Sequence, residues 1–144
     1  MHTLSEMSRR LQNLVNLGTI AEVDHSSARV RVDINGRLTG WLPTPAAIGQ
    51  NYRRWSPLRV GTQVLLVSPS GDPANAIIAQ ILYSDALPPP AATGEVDIIQ
   101  FDDGTMVKYD AAAKRLELFS AGDIHIRATG TLFLDAAHLS ALEG

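Results

Sequence analysis

Cysteine is absent from the chain, which excludes a disulfide framework, a cysteine-bound zinc and a thiol nucleophile. Aromatic residues make up only 6%, with two Trp, three Tyr and three Phe, which is modest for a core of this size. No apolar run approaches the ~18 residues of a membrane-spanning helix. The start, with Glu6 and no long apolar stretch, lacks the pattern of a secretory signal, and the expectation is a soluble protein made in the cytoplasm. Basic character is missing too: 12 Lys and Arg stand against 15 Asp and Glu, for a net charge of −3, which argues against nucleic acid as a partner. The chain has no G-x-S-x-G, Walker loop, H-E-x-x-H or G-x-G-x-x-G. His2, His25, His125 and His138 are scattered, with no helical i,i+4 pair for a metal. Asp102, Asp103 and Asp110 could be read as acid–base carboxylates, but an Asp- and Gly-rich stretch reads better as a turn. The expectation is therefore no enzyme, no cofactor and no metal site.

What the chain does have is a repeat. Residues 115–138 divide into RLELFSAG, DIHIRATG and TLFLDAAH, three units of eight. Positions two and four are always apolar: Leu116 and Leu118, Ile124 and Ile126, Leu132 and Leu134. They alternate with Glu117, His125 and Phe133, so each unit is expected to begin as a short strand with one apolar face. On that alternation His125 points away from the apolar face. Gly122 and Gly130 close the first two units, where a sharp corner excludes a side chain.

Eight residues are too few for a self-contained coil. A single-chain β-helix built of hexapeptides needs about eighteen residues per coil, whereas one unit spans only ~26 Å, a face and a corner. Alone, the chain would leave its apolar stripe in water and its strand edges unpaired. Three copies wound about one axis would close the prism, and the six apolar residues just named would form a shared trimer core. The plainer alternative is a meander of short hairpins.

Upstream, Thr3-Leu4-Ser5-Glu6 has the spacing of a capping box. Leu4, Met7, Leu11, Leu14 and Val15 share one helical stripe, and Gly18 is placed to stop it. A helix is expected over 4–17, its stripe either packing internally or docking a partner through Leu4, Met7, Leu11 and Leu14. From Gly18 the pattern becomes that of strands. Val30, Val32 and Ile34 alternate with Arg29, Arg31 and Asp33, and Asn35-Gly36 is a strong hairpin signal. A return strand is expected over 37–42, and a long polar connection over 43–59. Further strands are expected at 64–67 and 76–83. Five short strands with one long excursion suggest a Greek-key barrel of the OB type. On such a barrel Tyr52, Arg53, Arg54 and Trp55 could form a stacking platform for single-stranded nucleic acid, or Trp55 could be a packed anchor. The three prolines of Ser84–Thr93 mark a stiff linker. Beyond it, strands flank Asp102-Asp103-Gly104.

The fold class expected is all-β with one N-terminal helix: an OB-type Greek-key barrel followed by an intertwined trimeric β-helix. The divisions are a helix at 1–17, the barrel at 18–83, the linker at 84–93 and the start of the β-helix at 94–144.

The chain resembles the central-spike proteins (baseplate assembly protein V) of contractile-tailed bacteriophages and R-type bacteriocins. The resemblance is carried by the leading helix, Gly18-Thr-Ile-Ala-Glu-Val-Asp24, Trp41-Leu42 and Trp55-Ser-Pro-Leu-Arg-Val-Gly-Thr-Gln-Val64. It continues through Gly71-Asp72, Ile81-Leu-Tyr-Ser84, Phe101-Asp-Asp-Gly-Thr-Met-Val-Lys-Tyr109 and the octads. It implies a structural role in a tail baseplate of a virion or bacteriocin particle assembled in the bacterial cytoplasm. A homotrimer would sit below the tail tube, held by baseplate hub and tube proteins. Sheath contraction would drive it transiently through the target cell's outer membrane. Members often end in a His-x-His apex holding iron. No His-x-His occurs here, so either the needle is short or the chain is a fragment without its tip, and a separate tip protein would cap the blunt end. The rival reading is an OB-fold module for single-stranded nucleic acid.

Overall fold

A computed structural model describes residues 3–143; residues 1, 2 and 144, at the ends of the expected helical and needle segments, lie outside it. The chain forms two compact units, 1–89 and 90–144.

The first unit opens with α1 (Leu4–Gln12), where the Thr3 Oγ1 accepts from the Glu6 N–H at 3.2 Å. The helix is shorter than the 4–17 expected. It ends at Asn13, and Val15 already begins β1 (Val15–Asp24). Strand pairing overrides the helical stripe here. Val15 sits opposite Val67, and the Leu14 carbonyl accepts from the Ser68 N–H at 2.8 Å. Gly18 is therefore no helix stop. It lies within β1, where an added Cβ would stand 2.5 Å from Val32 Cγ1 and 3.0 Å from the Asp33 carbonyl oxygen, so only glycine allows the strands to close.

β2 (Arg29–Ile34) turns at Asn35-Gly36, both with positive φ as a tight hairpin demands, into β3 (Arg37–Leu38). The return strand is not continuous to 42. Thr39 interrupts it by accepting the Val32 N–H on its own Oγ1 at 3.0 Å and donating to the Gly40 carbonyl at 2.8 Å, and pairing with β2 resumes at β4 (Leu42–Pro43). The connection expected over 43–59 holds a small hairpin, β5 (Ala47–Ile48) against β6 (Arg53–Arg54). β7 (Gln63–Val67) and β8 (Ile77–Leu82) complete an antiparallel sheet in the order β3-β2-β1-β7-β8, with β4 also on β2. β4 lies against β8, which brings the sheet ends together around one core of Ile20, Val30, Val32, Leu42, Val64, Leu66, Ala76 and Ile78.

In the second unit, β9 (Val96–Gln100), β10 (Met106–Asp110) and β11 (Arg115–Phe119) form an antiparallel meander in the order β11-β10-β9. β11 belongs to the first octad. The strands expected at the second and third octads do not form, because an extended segment becomes a strand only when an edge pairs with it. The eight-residue rhythm nevertheless survives in the backbone, which bends at 121–122, 129–130 and 137–138. The third bend forms at Ala137-His138, where the sequence has no glycine.

Candidate functional site

The candidate functional surface is the uncovered apolar face of the second unit. Register places Ile99 opposite Val107, Val107 opposite Leu118, and Tyr109 opposite Leu116. These five residues thus share one face of the meander by strand alternation, and all five are exposed. The apolar positions of the octads continue the pattern: Leu116, Leu118, Ile124, Ile126, Leu132 and Leu134 are each between 51% and 68% exposed. No residue from 90 to 143 is buried. Water on this many aliphatic side chains is costly, at about 25 cal/mol per Å² of apolar surface, and exposed apolar patches of this kind mark interaction surfaces. The structure brings Leu116 and Leu118 together with Val107 and Tyr109. The apolar pairs of the later octads have no strand neighbour among the described residues. Ile99, Val107 and Tyr109 were legible as strand residues but not as part of the surface, since their phase relative to β11 depends on the register.

A second uncovered stripe lies on α1. The helix is held to the segment 69–71 by its backbone: Gly71, at φ +71°, faces the Arg10 carbonyl and Cα so closely that any Cβ would collide. That attachment leaves Leu4, Met7 and Leu11 exposed. Leu14 is not on the helix; it sits half-buried in the connection to β1. The expected four-residue docking stripe is thus reduced to three.

The 43–59 excursion carries exposed Tyr52, Arg53, Arg54 and Trp55 at the β5–β6 hairpin. Tyr52 is folded over Gly49, whose N–H donates to its carbonyl at 3.0 Å. Trp55 meets the His25 ring edge-on at a centroid distance of 6.4 Å. Both rings therefore have neighbours in their own unit. On the barrel wall Arg31 is tied down by the Thr39 carbonyl at 2.8 Å, by Glu22 at 3.3 Å and by the face of Trp41 at 5.7 Å.

The acidic turn residues are occupied structurally. Asp103 accepts the Thr105 N–H at 2.9 Å, and that bond holds its carboxyl below the usual range. Asp110 accepts from the N–H groups of Ala112 and Ala113. Among the described residues, no group of three or more His, Asp or Glu comes together where a metal could bind.

Residues 16–83 match the model of the Type VI secretion system/phage-baseplate injector OB domain. The chain is also 29% identical over 135 residues to the spike protein of Escherichia phage P2, covering 92% of this chain and 64% of that protein.

Proposed function

We propose that this chain, whose residues 16–83 match the injector OB-domain model and which is similar to a phage spike protein, is a non-enzymatic structural spike protein that works as a homotrimer. The observation that carries the proposal is the second unit. Its apolar side chains recur at every unit of eight, its backbone bends with the same period, and no described residue of the same unit covers it. Three copies around one axis would convert that uncovered stripe into a shared core of Leu116, Leu118, Ile124, Ile126, Leu132 and Leu134, and would supply the missing strand partners. The barrel, with a complete core of its own, would form the base.

In this reading the trimer belongs to the tail baseplate of a virion or bacteriocin particle. Hub and tube proteins hold it, with the exposed Leu4, Met7 and Leu11 of α1 as the docking stripe. A rigid needle of this kind would be driven transiently through the target cell's outer membrane. The nucleic-acid alternative is disfavoured by the net charge of −3 and by the contacts that Tyr52 and Trp55 make within the barrel. Solution mass decides the central point: a trimer is expected, and a monomer at micromolar concentration would refute the shared core.

A further inference from the structure

We propose that Arg115 with Asp123, and Arg127 with Asp135, form ion pairs between neighbouring copies, and that these pairs set which octad of one copy lies on which octad of the next. The inference rests on the threefold reading above. It starts from the side of each octad opposite the apolar residues, where the alternation seen in β11 and expected of the later octads on pairing sets positions one, three and five together. Position one reads Arg115, Asp123, Thr131. Position five reads Phe119, Arg127, Asp135. Twice, then, opposite charges stand eight residues apart on the same side of consecutive octads.

Within one chain, residues eight apart are separated by a whole unit and a bend, so they do not face each other. Symmetry changes that. Around a threefold axis, the same octad of each copy occupies one of three sides at one height. The next octad of each copy has turned to the following side and risen by one strand spacing, about 4.8 Å. The strand lying on any octad is consequently the next octad of a neighbouring copy, running parallel, with each residue beside the one numbered eight higher.

That offset sets Arg115 beside Asp123 and Arg127 beside Asp135, and it also sets Glu117 beside His125, an acceptor beside a donor. Other offsets do worse. Zero offset would put Arg127 on Arg127, and like charges directly opposite are unfavourable. An offset of sixteen would put Arg115 on Thr131 and Phe119 on Asp135. In the single chain Arg115 has only an exposed 3.7 Å contact with Glu117. Asp123, Arg127 and Asp135 make no ion pair among the described residues. The charges are available.

The chain's lack of cysteine gives a clean test. Arg127→Cys/Asp135→Cys and, independently, Arg115→Cys/Asp123→Cys are made in the full chain, their mass is measured under reduction, and a short bismaleimide is then added. Each double variant is expected to link most of its chains into covalent trimers on a denaturing gel, while the single variants stay unlinked. Trimeric mass without linkage in either pair would overturn the offset and leave the threefold core standing. Monomeric mass for the unaltered chain would overturn both. A charge exchange covers the case in which a cysteine pair disturbs assembly: Arg127→Asp should lower the trimer's melting temperature, and adding Asp135→Arg should restore it. Absence of rescue counts against the pairing.

Discussion

The two units solve the same patterning problem with opposite results. Along β2 the alternation of Val30 and Val32 with Arg29 and Arg31 buries both valines almost completely. Along β11 the alternation of Leu116 and Leu118 with Arg115 and Glu117 is just as regular, yet both leucines stay exposed. The difference lies in topology. β2 is flanked by β1 on one side and by β3 and β4 on the other, and the sheet closes on itself. The meander β9–β11 has three strands, and among the described residues its own unit holds no second sheet to close against. A regular apolar pattern thus states that a face will be covered, and topology states by what.

The largest test of that contrast is a charge in the uncovered stripe. Ile126→Asp is expected to dissociate or fray the trimer, since three carboxylates brought into one dry layer cannot all ionise and desolvation costs several kcal/mol for each. His125→Asp, on the opposite side of the same octad by alternation, should stay within about 0.5 kcal/mol. Mass in solution reads the first effect, and circular dichroism of the barrel should stay unchanged in both variants. Equal harmlessness would remove the physical basis of the shared core.

A smaller contrast compares the two leucine classes directly. Leu66→Ala, in a fully buried site, should destabilise the barrel by about 2–5 kcal/mol at any protein concentration. Leu118→Ala should leave the barrel's unfolding untouched and raise the concentration needed for trimerisation. Denaturant melts at two protein concentrations separate the outcomes. Identical concentration dependence would erase the distinction between the units.

The helix supplies a third case, with no expected cost to the fold. Removing residues 1–12 takes away the exposed Leu4, Met7 and Leu11 and spares the strand pairing that starts at Val15. A folded trimer that no longer enters particles is expected. Loss of the fold would show that the stripe packs internally.

The smallest effect is electrostatic. Because the Thr105 N–H lowers the Asp103 pKa from its ordinary 3.8, the bond's contribution is present above that value and is lost as pH falls through the folded pKa. Asp103→Asn should flatten that acid-side loss, read as the pH dependence of the β9–β10 turn's hydrogen exchange. An unchanged profile would leave Asp103 without a role in the turn.

Much of this architecture is legible in the residues. Asn35-Gly36 announces its hairpin, Val30 and Val32 announce the core, and Gly122 and Gly130 mark the first two octad bends. Other parts were hidden for physical reasons. Leu14 and Val15 continue a helical stripe, and only the pairing of Val15 with Val67, more than fifty residues away in sequence, makes them non-helical. Thr39 breaks its strand through a side-chain bond that no periodicity reveals. The β5–β6 hairpin has strands of two residues, too short to alternate. For the second and third octads, the strands expected from sequence find no pairing edge among the described residues.

The period-eight bends have one more consequence, for how such a chain can change length. Side chains alternate with period two, so a single inserted residue would send every later apolar group to the opposite face. Two inserted residues would keep the faces but move each bend off its corner. Only a whole octad preserves both, and in the proposed threefold winding it would add one strand spacing of about 4.8 Å to each copy. Length in this segment is therefore counted in discrete steps, and a longer version of the protein is reached by duplicating a unit rather than by stretching one.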